Sequence, residues 1–176
     1  CAGAEVSKCF FRLADEIERF VVREMERQKI PGLALAVAKD GKVTKAKGYG
    51  FANLEHRVPV TPETVFQSGS IGKQFTAAGI LLLAAEERLS LDDPIKRYLP
   101  DAPPAWDAIT IRHLLQHTSG IPDYESQKLV NFRLDYAEDE LARLAARMAS
   151  DFAPGLDWAY SNTGYVLLGI IIHKVA

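Results

Sequence analysis

The chain has 176 residues, of which 48% are apolar and 25% charged, with a formal net charge of −2 and two cysteines. That length can bury one core of ordinary size, and the near-neutral balance excludes a broad basic face for nucleic acid or an anionic membrane. The apolar runs are too short to span a bilayer, and Cys1 and Cys9 do not make a disulfide framework. Phe10, Leu13, Ile17, Phe20, Val21 and Met25 recur at helical spacing with charges between them. This predicts an amphipathic helix over 10–28, ended by Pro31-Gly32. Residues 33–39 and 42–50 read as two strands joined at Asp40-Gly41, a strong hairpin signal.

Gly48 and Gly50 resemble the opening of a dinucleotide-binding fingerprint, but residue 53 is Asn and no helix pattern follows directly. Residues 77–85 form an unbroken apolar run, which predicts a helix buried on every side. The stretch 89–106 is rich in Pro and Asp and reads as surface loop. Thr110 caps a short helix ending near His117, and Ser119-Gly120-Ile121-Pro122 stops it. Residues 138–149 form a further amphipathic helix, and 165–172 a second apolar one. No repeat, low-complexity tract or linker interrupts this order.

Two polar clusters sit at the starts of the two apolar helices. Ser70-Ile71-Gly72-Lys73 precedes the first, so a hydroxyl and an amine lie one turn apart on one helix face. The N–H groups and dipole of a helix start favour developing anions. They also place a lysine cation poorly, and a neutral amine beside a hydroxyl is a general base beside a nucleophile. The plainer reading is a serine cap and a solvated lysine. Tyr160-Ser161-Asn162 precedes the second apolar helix, after the turn at Pro154-Gly155. A tyrosine whose ionisation is favoured by a neighbouring cation serves as acid or base, and Asn162 offers both donors and acceptors. The plainer reading there is an aromatic turn with Asn162 as the helix cap.

Ser70-x-x-Lys73 followed by Tyr160-x-Asn162 resembles the penicillin-recognising serine hydrolases, in the branch of class C β-lactamases, D-Ala-D-Ala carboxypeptidases and related esterases. Flanking words resemble that branch too: Pro31-Gly32, the residues 64–70, Leu91-Asp92-Asp93-Pro94, the residues 109–120 and Phe152-Ala153-Pro154-Gly155. The resemblance runs from about Ile17 onward. It implies an α+β, β-lactamase/transpeptidase-like fold in which helices pack on an antiparallel sheet. The family's third motif, Lys-Thr-Gly or His-x-Gly on a C-terminal strand, does not appear up to Ala176. The expectation is therefore that residues 1–176 are the N-terminal part of a single β-lactamase-like domain, short of its C-terminal strands and turning over substrate poorly alone. Its hairpin edge would then be open to self-association.

The resemblance also implies roles. Ser70 attacks an amide, lactam or ester carbonyl, Lys73 takes or relays the proton, Tyr160 shares that role and activates water for deacylation, and Asn162 positions Lys73 and the substrate. The Ser70 N–H supplies half an oxyanion hole. The implied partner is a small molecule or peptide with such a carbonyl; no cofactor or metal is needed, and no nucleic acid is involved. A periplasmic or extracellular place is favoured, and Cys1-Ala2-Gly3-Ala4 also fits the mature end of a lipoprotein. The alternative is a penicillin-binding sensor or non-catalytic binding module of the same fold. His113 and His117, four apart, have the spacing of a zinc pair but lack the glutamate and third ligand of such a site, so both read as structural. Ser68-Gly69-Ser70-Ile71-Gly72 lacks the first glycine of an α/β-hydrolase elbow.

Overall fold

The computed structural model describes residues 16–125 and 130–176, which fall into two compact units, Cys1–Gln67 and Ser68–Ala176. Cys1, Cys9 and the predicted helical residues 10–15 lie outside the described residues.

In the first unit, helix α1 (residues 16–28) precedes strands β1 (Gly32–Lys39), β2 (Lys42–Asn53) and β3 (Val58–Pro59), paired antiparallel in the order β1-β2-β3. Asp40 and Gly41 both have positive φ, 50° and 73°, the backbone of a two-residue turn that matches strand twist. β2 runs three residues beyond the expected Gly50. Phe51 and Asn53 pair with β3, and the Asn53 side chain accepts from the His56 N–H at 2.6 Å to turn the chain. Gly48 is required here, since a Cβ would lie 2.0 Å from the Val60 carbonyl oxygen. Glu18 of α1 bridges Lys45 and Lys47 of β2 at 2.5 and 2.7 Å. Those two bonds pull its carboxyl down to about 2. The hairpin thus gains a third strand and a helix on its face, with β1 at one edge.

The second unit is helical. A 3-10 turn, Gly69–Gly72, runs into α2 (Lys73–Ala85); α3 (Ile111–Leu115), α4 (Glu138–Ala145) and α5 (Asn162–Val175) follow. α5 packs against α2, α3 and α4 and buries Thr163, Gly164, Leu167, Leu168 and Ile171. α2 crosses α5 at Gly79, where a Cβ would lie 3.1 Å from Ile172. The expected burial of α2 on every side does not hold. Ile80 and Leu83 are buried, while Phe75, Leu81 and Leu82 are more than half exposed, because α5 covers only the side of α2 that faces it.

The stretch 89–106 is also more than a surface loop. Leu89, Ile95 and Trp106 are buried in the same core as Leu114 and Leu167. Asp93 ties the segment together, accepting from the Ser90 N–H, the Tyr98 hydroxyl and the Arg97 guanidinium. The Ile95 N–H donates to the Ile109 carbonyl. Proline and aspartate here set turns that fold apolar residues inward, a tertiary outcome that composition does not encode. α4 stops at Ala145 rather than 149, its first turn closed by Glu140 accepting from the Ala137 N–H.

Gly120 has φ 73°, and a Cβ there would lie 2.0 Å from the Phe152 carbonyl oxygen. Left-handed backbone alone costs a non-glycine residue about 1–2 kcal/mol, and the collision adds to it. Gly120→Ala should lower the thermal midpoint by about 4–8 °C. An unchanged melting curve would show that the 117–123 segment yields without cost.

Candidate active site

Asn162 opens α5, but it is not the cap. The Ser161 hydroxyl accepts from the Gly164 N–H at 3.2 Å and caps the helix. That leaves the Asn162 side chain free to work elsewhere. Its Oδ1 accepts from Lys73 Nζ at 2.6 Å, joining the first residue of α2 to the first residue of α5. Ser70 does not cap α2 either; it lies in the 3-10 turn before it, and Gly72 holds the cap position without a side-chain bond. That turn lifts the Ser70 hydroxyl to an exposed position.

Lys73 Nζ also donates to Ser70 Oγ at 3.2 Å. The Tyr160 hydroxyl lies 2.8 Å from Ser70 Oγ. Lys73 Nζ stands over the Tyr160 ring at 4.8 Å and over the Tyr165 ring at 5.6 Å, a favourable face for a cation. All four residues singled out in the sequence therefore meet. Tyr160 holds its proton less tightly here. Its phenol is held below the ordinary tyrosine value, first by its hydrogen bond with Lys73 and then by that with Ser70. Lys73 works here as a donor to its neighbours, not as an isolated amine.

Two further residues complete the cluster. The Asp123 carboxylate accepts from both the backbone N–H and the side-chain N–H of Asn162, each at 2.9 Å. It is aimed there by its neighbours: fully buried Thr163 donates to the Pro122 carbonyl at 2.8 Å and accepts from the Tyr124 N–H at 3.0 Å. Asp123 thus fixes Asn162 so that its Oδ1 faces Lys73. In the sequence, only its place beside the helix stop Ser119-Gly120-Ile121-Pro122 marked it.

The second is His117, whose ring stacks on Tyr160 at 4.6 Å between centroids. His113 plays a different part. Its backbone N–H donates to Thr110 Oγ1 and its Nδ1 accepts from the Thr110 N–H, closing the start of α3. Among the described residues no three His, Cys, Asp or Glu side chains form a metal-binding group.

Two cavities lie elsewhere. One of about 500 Å³ is rimmed by Arg88, Asp92 and Arg112, and another of about 370 Å³ lies between Trp106, Ala142 and Ile170. Neither touches the Ser70 cluster, whose chemistry is displayed on an open surface.

Residues 17–176 match the family model Beta-lactamase. The chain belongs to the beta-lactamase family. It is 36% identical over 155 residues to penicillin-binding protein 4* of Bacillus subtilis strain 168, an alignment that covers 86% of this chain and 34% of that protein. Among solved structures, the D-amino acid amidase of Ochrobactrum anthropi SV3 is 33% identical with a TM-score of 0.73, over 85% of this chain and 41% of that one. A class C beta-lactamase is 27% identical with a TM-score of 0.76, over 93% of this chain and 44% of that one. The chain spans about a third of the length of the curated relatives it matches. These likenesses establish the β-lactamase/transpeptidase-like fold and membership among the penicillin-recognising serine hydrolases.

Removing the cation tests the electrostatics of the cluster. In Lys73→Met the Tyr160 phenol should ionise nearer the ordinary value of about 10. The measurement is phenolate absorbance against pH, with Tyr160→Phe subtracted. A titration unmoved by loss of Lys73 would mean that the ammonium does not act on Tyr160.

Proposed function

We propose that this chain carries the nucleophile and proton-transfer groups of a serine hydrolase that acts through an acyl-enzyme on an amide, lactam or ester carbonyl. One observation carries the reading: Ser70 Oγ lies within hydrogen-bond reach of both Tyr160 Oη, at 2.8 Å, and Lys73 Nζ, at 3.2 Å. A serine is a weak nucleophile until an adjacent group takes its proton. In this reading the acceptor is Tyr160 as its phenolate, a form that its bonds with Lys73 and Ser70 favour by lowering its proton affinity.

In the forward step the Ser70 proton passes to Tyr160 as Oγ bonds to the carbonyl carbon. The carbon's bond to nitrogen or oxygen then breaks, and the proton passes on to that leaving atom. Lys73 holds the charge on the phenolate, and Asn162 holds Lys73. In deacylation Tyr160 takes a proton from water as the hydroxide attacks the acyl carbon; the carbon–Oγ bond then breaks, and Tyr160 returns the proton to Ser70 Oγ. The Ser70 N–H serves as one oxyanion donor. No cofactor enters any step.

The substrate in this reading is a small molecule or peptide with such a carbonyl. The amidase and β-lactamase relatives support it at the level of amide and lactam chemistry. We read residues 1–176 as the N-terminal part of one such domain; the alignment with penicillin-binding protein 4* covers a third of that protein. That relative's name also favours a second reading, a penicillin-binding module that is acylated without turnover.

Covalent labelling with a fluorophosphonate or a fluorescent penicillin tests the assignment. Ser70→Ala should abolish labelling, and Lys73→Met and Tyr160→Phe should slow it by at least about a hundredfold. Label found by mass spectrometry on Ser68 or Ser161 would overturn the reading. Fast labelling with no release of the acyl group would favour the binding module.

A further inference from the structure

Tyr160 has an aiming problem. The residue is 42% exposed, and it lies in residues 156–161, outside any helix or strand. An exposed aromatic on such a segment has rotamers that carry it away from its partners. Yet its hydroxyl must stay within hydrogen-bond reach of Ser70, and an error of about 1 Å can cost a hundredfold in rate.

One residue touches this segment at three consecutive positions. The His117 carbonyl accepts from the Ala159 N–H at 3.0 Å. The His117 ring stacks on Tyr160 at 4.6 Å with 31° between planes. His117 Nδ1 accepts from the Ser161 N–H at 3.1 Å. The other face of the arrangement is closed as well. The ring lies 5.1 Å from that of Tyr165 and edge-on to Trp158 at 6.1 Å, and the Tyr165 hydroxyl is tied to the Leu115 carbonyl. His117 has φ 60°, a left-handed conformation in which histidine is over-represented among non-glycine residues. That conformation lets its carbonyl and its ring nitrogen serve the same short segment.

We propose that His117 is the positioning residue for Tyr160: as a neutral imidazole it clamps residues 159–161 so that the phenol stays on Ser70 and Lys73. Because Tyr160 takes the proton in the acyl-transfer reading, this role rests on that reading. The clamp works only in one protonation state. Nδ1 must accept, so the ring proton sits on Nε2, and an imidazolium would lose the bond to Ser161.

The surroundings favour the neutral form. Burial lowers the imidazole's affinity for a proton, and the Lys73 ammonium on α2 lowers it further, while the Asp123 carboxylate opposes them. Tyr160 and Tyr165 are the other titratable groups against the ring. The sign follows. With its value below the ordinary 6.5, His117 stabilises the folded site fully above that pH, and this contribution is lost as pH falls through the lowered value. Acylation should carry an acid limb that belongs to His117.

Two variants separate the parts of the clamp. Asparagine tolerates left-handed backbone and offers an oxygen near the place of Nδ1, so His117→Asn keeps the bond to Ser161 and loses the stacked ring. His117→Phe keeps a ring and loses the acceptor. Both are read by thermal melting, by the Tyr160 phenol titration with Tyr160→Phe subtracted, and by fluorophosphonate labelling of Ser70 across pH. In folded His117→Asn the phenol should titrate nearer about 10, labelling should fall about tenfold to a hundredfold, and the acid limb should vanish. His117→Phe should lose the acid limb and label more slowly than wild type, even where its phenol titration is less changed. A folded His117→Asn with wild-type phenol titration overturns the proposal, and so does an acid limb that persists in both variants. The failure of the parent reading looks different: Tyr160→Phe would then label at the wild-type rate, while the phenol titration would still report whether His117 holds Tyr160.

Discussion

The Lys73–Asn162 hydrogen bond is the constraint on which the second unit's chemistry depends. It joins the first residues of two helices separated by 89 positions in the chain, at 2.6 Å and partly out of water. Neither partner is free to drift. Lys73 is the first residue of α2, and Asn162 is fixed through both its backbone and side-chain N–H groups to one oxygen of Asp123. Hydrogen bonds to charged groups contribute about 1.5–3 kcal/mol each. A site built on three of them keeps its geometry even though Ser70 and Tyr160 stand at the surface.

The same device recurs on both sides of α5. Each exposed or charged side chain is aimed by bonds made to its chain neighbours. Asp123 is flanked by Pro122 and Tyr124, both bonded to Thr163 Oγ1. Tyr160 is flanked by Ala159 and Ser161, both bonded to His117. Neighbour-held residues do not need burial to be ordered. This arrangement leaves the reactive hydroxyls open to a substrate while the atoms that orient them are held below. Electrostatics then follow from placement: with the ammonium near the phenol, ionisation of the tyrosine becomes easier, and the imidazole beside them becomes harder to charge.

Most element positions were legible in the sequence because local physics decides them. The Asp40-Gly41 turn, the Thr110 cap and the apolar α5 each follow from the requirements of a few adjacent residues. The misses share one cause. The length of β2 depends on pairing with β3 across the Asn53 turn, the burial of Ile95 and Trp106 depends on how the prolines redirect the chain, and the open face of α2 depends on where α5 lies. Each is decided by a partner remote in sequence, which no window of neighbouring residues contains.

The candidate site divides along the same line. Ser70 and Lys73 sit one turn apart, and Tyr160 and Asn162 frame a helix start, so the sequence alone determined which residue types stand at each helix mouth and what chemistry they offer. Tertiary structure decided that the two mouths meet. It also brought in Asp123 and His117 as the residues that orient Asn162 and Tyr160. The physical reason is that a cap or a turn is satisfied within four residues, whereas a hydrogen bond between α2 and α5 exists only after a whole core has packed between them.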